Sequence, residues 1–260
     1  MLESRRIRRR TFIADLGRGA MAIAVVGLAA RPVAAQSPSP AATPGPSPAG
    51  SPEPAGSATP SASMGAISWE RVNLGFVSAY ILVRGGEAAI VDTGTEGSAD
   101  AIEASLEAIG LDWTTVSHLV LTHHHGDHVG SAAEVLSRAL EASGYAGAED
   151  IGSIVVPRPL TALGDGDAVF GLKVITAPGH TAGSICVLDP VGGILVAGDA
   201  LVTEAGLPAL PGAQFTDDMA LAGQSVMKLG GLTFETLLVG HGEPIETGAS
   251  ALVAELAASL

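Results

Sequence analysis

The stretch Thr122-His123-His124-His125-Gly126-Asp127-His128 holds four of the chain's seven histidines within six residues, with an aspartate among them. Neither a packed core nor a solvated face requires that density, and it reads as a metal site. Imidazole nitrogens and carboxylate oxygens suit zinc and other first-row divalent ions, and a catalytic site also keeps one coordination position open for water. In an H-x-H-x-D-H register the ligands are His123, His125, Asp127 and His128, with His124 and Gly126 as spacers. Alternating positions on a tight loop can then face two neighbouring ions.

Four ligands do not complete two metal spheres, so more His or Asp residues are expected downstream, each at the end of a strand. Three are present. His180 sits in Ala177-Pro178-Gly179-His180-Thr181-Ala182-Gly183-Ser184, Asp199 in Ala197-Gly198-Asp199, and His241 in Gly240-His241-Gly242-Glu243. Each follows an apolar, β-branched run and lies beside glycine, which lets backbone turn sharply and approach a site closely. With Val91-Asp92-Thr93-Gly94, these make five separated motifs in one order. In them the chain, from about Trp69 to its end, resembles the metallo-β-lactamase-fold hydrolases, the superfamily that includes glyoxalase II, ribonuclease Z, lactonases and persulfide dioxygenases.

The resemblance implies an α/β four-layer αββα sandwich with two divalent ions, zinc or alternatively iron, at one edge between the sheets. It implies that His123, His125 and His180 bind one ion, that Asp127, His128 and His241 bind the other, and that Asp199 bridges both. A hydroxide held between such ions is nucleophilic at neutral pH. Asp127 is the expected catalytic residue, orienting that hydroxide and carrying a proton to the leaving group. The expected function is hydrolysis of a small ester, thioester, lactone or amide. Two alternatives are a mononuclear iron oxygenase of persulfide-dioxygenase type and a metal-binding surface module without catalysis. Asp199 stands where the zinc β-lactamases with a cysteine ligand place that cysteine, which disfavours a β-lactamase. The lactonases carry a tyrosine shortly after the bridging aspartate, where Ala200-Leu201-Val202-Thr203 stands here. Glyoxalase II carries a helical C-terminal domain that binds glutathione, and only 19 residues follow His241, so glutathione specificity is not expected.

Composition limits the rest. With 47% hydrophobic residues in 260, one main domain is expected once the N-terminal tail is set aside. Residues 1–35 read as an export signal: Arg5, Arg6, Arg8, Arg9 and Arg10 form a basic region, residues 20–30 an apolar run, and Val33-Ala34-Ala35 a small-residue cleavage site. Arg9-Arg10-Thr11-Phe12-Ile13 is similar to the twin-arginine signature, which implies export to the periplasm, cell surface or medium. The apolar run is 11 residues, short of the roughly 20 that span a bilayer, so membrane contact is expected only through the signal. Residues 36–63 are a Pro/Ser/Ala-rich spacer with Glu53 its only charge, and residues 64–260 the folded domain. After Ala35 six basic side chains face 25 acidic ones, a net charge of −19 that repels polyanions and excludes nucleic acid as a substrate. The lone Cys186 reads as a packed strand residue.

Patterning supplies the elements. Residues 76–83 and 88–91 read as a hairpin around Arg84-Gly85-Gly86-Glu87, closed by Asp92, whose expected role is to support the metal loop by hydrogen bonds. Residues 98–109 read as a helix capped by Ser98, with Ile102, Leu106 and Ile109 inward and Gly110 as its stop. Residues 117–121 read as the strand before the histidines, with His118 packed inside it. A helix from Gly130 through Leu140 to about Gly144 is expected to aim its N-terminus at the metals. Strands follow at residues 154–156, 172–177, 185–188 and 194–197. A helix at 217–229 capped by Thr216, a strand at 236–239 and a closing helix at 248–260 complete the chain. The segments 157–166 and 204–215 read as loops, the second a wall over the metals. Its Leu207, Ala209, Leu210 and Phe215, with the acidic surface, point to a neutral or apolar small-molecule substrate.

Overall fold

A computed structural model describes residues 65–260. The expected export signal, the spacer and Met64 lie outside the described residues. Strand β1 (Ser68–Asn73) pairs antiparallel with β2 (Ser78–Arg84), which turns through Gly85-Gly86 into β3 (Glu87–Val91). Both turn glycines have positive φ, a region that glycine enters without a Cβ clash. Helix α1 (Ala99–Ala108) leads to β4 (Val116–Leu121), laid parallel to β3. The short α2 (Gly126–Val129) and α3 (Ala132–Arg138) precede β5 (Ser143–Gly147) and β6 (Thr161–Leu163), which complete a six-stranded sheet in the order β1-β2-β3-β4-β5-β6.

The second half builds the second sheet. Strands β7 (Ala168–Val169), β8 (Leu172–Thr176), β9 (Ile185–Asp189) and β10 (Ile194–Gly198) are joined by β13 (Thr236–Val239) in the order β13-β10-β9-β8-β7. Between β10 and β13 lie a small hairpin, β11 (Val202–Glu204) with β12 (Leu207–Ala209), and helix α4 (Met219–Gly230); α5 (Ala249–Ala258) closes the fold.

Period-two alternation sets the layers, because neighbouring residues of a strand face opposite sides of a sheet. Tyr80, Leu82, Val91 and Val120 pack against Val174, Ile185, Val187, Val196 and Leu238 between the two sheets. Their neighbours Ile81, Ile90, Leu119 and Leu121 face α1 and α3, meeting Ile102, Leu106, Val135 and Leu136. On the far side Ile175, Leu195, Leu237 and Val239 meet Val226 and Leu229 of α4 and Val253 of α5. The result is the expected αββα sandwich.

Several local expectations are corrected. The helix read through Leu140 ends at Arg138, and Leu140 is 70% exposed. The following residues are drawn into β5 beside β4, where Gly144 packs tightly on Leu160. That helix begins at Ala132, and the four-residue turn α2 lies between it and the first three histidines of the loop in the chain. Residues 154–156 form no strand: β6 takes the edge place beside β5, leaving Val155 90% exposed. Ser98 occupies the N-cap of α1 without capping it by its side chain; its backbone N–H donates to Ser131 Oγ at 2.8 Å. Ile109 lies past the helix end and is exposed. Helix α4 is capped by Asp218, whose carboxylate accepts from the Leu221 N–H at 2.9 Å, and not by Thr216.

Candidate metal centre

Parallel strands deliver the candidate ligands to one edge. Strand β4 ends at the histidine loop, β10 at Asp199, and β13, parallel to β10, at His241; β8 runs into the turn that carries His180. Donor atoms of His123, His125 and His180 all lie within 4.8 Å of one another, as do those of His123, His128 and Asp199, and those of Asp127, His128 and His241. All seven residues expected from the sequence are thus brought together. Asp199 Oδ2 sits centrally, 3.4 Å from His180 Nε2 and 3.1 Å from His241 Nε2, while its Oδ1 is 3.3 Å from His128 Nε2.

The donor set fits a metal on two observations. His123 Nε2 and Asp199 Oδ1 are buried without a hydrogen-bond partner, an arrangement that is costly unless something else occupies those lone pairs. The ring nitrogens His180 Nε2 and His125 Nδ1 point at each other across 2.9 Å. Burial, aided by the cationic tendency of His128, drives His123 well below the ordinary histidine range, and burial lowers His180 to about 4, so both present a lone pair at neutral pH. Burial opposes protonation of His128, but Asp92 and Asp199 outweigh it and raise the imidazole to about 10. Hydrogen bonds to Asp127 and Asp199 raise His241 to about 10 as well. Metal binding would displace those two protons. The hydrogen bond from His241 holds the half-buried Asp127 below the usual carboxylate range.

A second layer of residues orients these donors. Asp92, in the left-handed region at φ 60°, accepts from the Thr122 N–H (2.8 Å) and hydroxyl (2.7 Å) and lies 2.8 Å from His128 Nδ1. It supports the metal loop as expected. Thr216 Oγ1 lies 3.3 Å from His180 Nδ1, and the Phe76 carbonyl accepts from His241 Nδ1 at 2.7 Å. Asp150, Phe76 and Arg71 are supporting residues that sequence reasoning misses. Asp150 is hidden because the helical pattern runs on into the strand before it, whereas Gly147-Ala148-Glu149-Asp150 just beyond a strand end is the available signal. Arg71 reaches the Gly242 carbonyl at 2.9 Å across a separation that no local pattern encodes. His118 stacks on Tyr145 at 5.5 Å between centroids, away from the centre, and Cys186 is buried in β9.

The centre opens into a cavity of about 920 Å³ lined on one side by His125, Asp127, His180, Asp199 and His241. The β11–β12 hairpin and the segment after it, through Val202, Pro211, Gln214 and Phe215, contribute to the lining. Phe76 stacks on His241 at 6.0 Å, and it and Phe215 are each 65% exposed at this cavity. Among the described lining residues there is no lysine or arginine.

Residues 72–241 match the family model of the metallo-beta-lactamase superfamily, and the match carries the histidine loop, His180, Asp199 and His241. The chain belongs to this superfamily. Metallo-beta-lactamase domain-containing protein 1 of Xenopus laevis is 32% identical over 173 residues, covering 63% of this chain and 70% of that protein. Probable metallo-hydrolase YflN of Bacillus subtilis is 30% identical over 199 residues, covering 60% and 75%. The hydroxyacylglutathione hydrolase of Synechocystis is 34% identical over 156 residues, but the match spans only 58% of its length. Among solved structures, a metallo-beta-lactamase family protein of Thermus thermophilus, TTHA1429, superposes with a TM-score of 0.60 at 25% identity, covering 75% of this chain and 79% of that one. TTHA1623 in a di-iron-bound form gives 0.58 at 25% identity, covering 71% and 95%. The metallo-beta-lactamase SMB-1, at 18% identity and a TM-score of 0.59, shares the fold. With these metallo-hydrolase relatives, the chain is a metal-dependent hydrolase.

Proposed function

We propose that this hydrolase is binuclear and exported, and that it cleaves a neutral or apolar ester, thioester, lactone or amide. His123, His125 and His180 would hold one ion and Asp127, His128 and His241 the other, with Asp199 within reach of both sets. The observation that carries this reading is the convergence of these donors, five of them lining one cavity, with His123 Nε2 and Asp199 Oδ1 buried and without a hydrogen-bond partner. Zinc is the ion proposed, with iron the alternative, because mixed histidine and carboxylate ligands suit both. Two divalent ions held there would lower the pKa of bound water and polarise a substrate carbonyl.

The chain's own residues do the rest. Asp127 lies on the cavity wall with Oδ2 3.3 Å from His241 Nε2 and is held as a carboxylate. It can orient the attacking water, accept its proton at Oδ2 and pass it to the leaving group. Phe76, Phe215, Val202 and Pro211 offer apolar surface to the substrate, and the lining holds no lysine or arginine that would select an anionic group away from the metal ligands.

Metal analysis combined with matched neutral and carboxylate-bearing esters, thioesters, lactones and amides tests the reading. Two ions per chain and turnover of the neutral members are expected. Mononuclear iron with oxygen consumption would move the assignment to the persulfide-dioxygenase class; two ions without turnover would leave a metal-binding module. Export is tested by N-terminal sequencing of the protein found outside the cytoplasm, expected to begin near Gln36. Arg9→Lys with Arg10→Lys is expected to block the twin-arginine route.

A further inference from the structure

Asp150 is buried, lies outside the five motifs and ligates nothing, yet its two oxygens reach both loops that carry the three histidines of the first proposed ion. Oδ2 accepts from the backbone N–H of His124 at 2.9 Å, and His124 is the residue between His123 and His125. The same oxygen accepts from the Thr181 hydroxyl at 2.7 Å, and Thr181 follows His180. Oδ1 accepts from the Gly183 N–H at 2.8 Å, farther along the same turn. His124 Nδ1 approaches Oδ2 to 3.1 Å. One carboxylate therefore joins two loops more than fifty residues apart in the chain, at positions adjacent to all three ligands.

The surrounding backbone is built for this junction. A Cβ on Gly183 would overlap the Asp150 backbone nitrogen and carboxyl group, and one on Gly147 would overlap the Gly183 carbonyl. Only glycine permits β5 and the His180 turn to approach so closely. Thr181 is fixed from its other side by Ser184 Oγ, 2.8 Å from its hydroxyl and accepting its N–H at 3.0 Å. A buried carboxylate with several donors is rigid, because breaking any one bond strands a desolvated charge.

We propose that Asp150 is a positioning residue that sets the spacing of His123 and His125 against His180, and through it the affinity of the ion those three hold. Its hydrogen bonds reach none of Asp127, His128 and His241, so its effect is confined to one of the two ions. This inference rests on the two-ion reading above.

The test is stepwise metal affinity of the full-length chain, measured by zinc competition with a chromophoric chelator, with the melting temperature of the metal-free protein recorded beside it. His180→Ala identifies the binding step that belongs to the first ligand set, and His241→Ala the step of the second. Asp150→Asn, which keeps one acceptor oxygen but places an amide donor against the N–H and hydroxyl donors, is expected to weaken the His180 step by about 10- to 100-fold, as loss of an orienting partner typically does. The His241 step is expected to stay within about 3-fold of the native value, the same principle confining the effect to the ligands so oriented. Thr181→Ala, which removes one bond and leaves the carboxylate, is a milder variant expected to move the same step less. Equal weakening of both steps, or none in either variant, would overturn the proposal. Native protein that binds a single ion would instead sink the two-ion reading, and positioning by Asp150 would then stand only if Asp150→Asn weakens that ion and His180→Ala abolishes it.

Discussion

Asp92 Oδ2 lies 2.8 Å from His128 Nδ1, while Nε2 on the other side of the same ring lies 3.3 Å from Asp199 Oδ1. Occupation of Nδ1 by a carboxylate fixes which nitrogen of His128 faces the centre, the arrangement in which an outer carboxylate orients a metal-binding imidazole. Asp92→Ala is therefore expected to weaken metal binding by about 10- to 100-fold. Isothermal titration of the metal-free variant checks this, with circular dichroism to show that the sandwich persists; unchanged affinity would refute the orienting role.

The two central aspartates are expected to fail differently. In Asp127→Asn an amide oxygen still faces the metal but no longer accepts a proton, so much of the metal stays while turnover falls by about 100-fold or more, the scale of general acid–base catalysis. In Asp199→Asn the charge proposed to serve both cations is lost, and metal content is expected to drop. His124→Ala and His118→Ala serve as comparisons expected to keep both ions, since His124 contributes its backbone N–H to Asp150 and His118 packs on Tyr145. Metal stoichiometry and turnover on the four proteins decide. Loss of an ion in His124→Ala as complete as in His123→Ala would shift the ligand register by one residue.

Gly240 tests the close packing behind the ligands. A Cβ there would overlap Asp199 Oδ1 and press on His128 Cε1, pushing two candidate ligands at once. Gly240→Ala is expected to lower metal content to one ion or fewer per chain while the far-ultraviolet spectrum stays native. Full metal occupancy would show that the centre tolerates displacement of Asp199.

Alkaline pH should destabilise the fold through two buried groups. Burial pushes the Cys186 thiol up to about 12 and, against the nearby Arg71, the Tyr80 phenol up to about 12. In the unfolded chain these groups release their protons near about 8.5 and 10 respectively. The unfolded state then binds fewer protons than the folded one as pH rises through this window, so stability is fully present below about pH 8.5 and is lost progressively toward 12. Urea midpoints between pH 8 and 11 should fall, and Cys186 should resist thiol reagents at pH 8 until the chain unfolds. Rapid labelling of the native protein would contradict its burial.

The candidate ligand residues and the two halves were legible in the sequence because each signal is local, and the sandwich followed from the family resemblance that those motifs carry. Histidine density, glycine beside each ligand and period-two apolar runs are properties of a few adjacent residues, and Asp92 at a strand end was legible for the same reason. Where two local patterns competed, the longer one was misleading: the apolar spacing through Leu140 continues helically, yet pairing with β4 captures residues 143–147 because hydrogen bonds to a neighbouring strand outweigh helix propensity at a segment with glycine at both positions 144 and 147. Only the tertiary structure decided that Asp150 would join the His124 and Thr181 loops, that Phe76 would stack on His241, and that Arg71 would hold the Gly242 carbonyl. These contacts link segments far apart in the chain, and their geometry depends on how two sheets are packed, which no short stretch of sequence records.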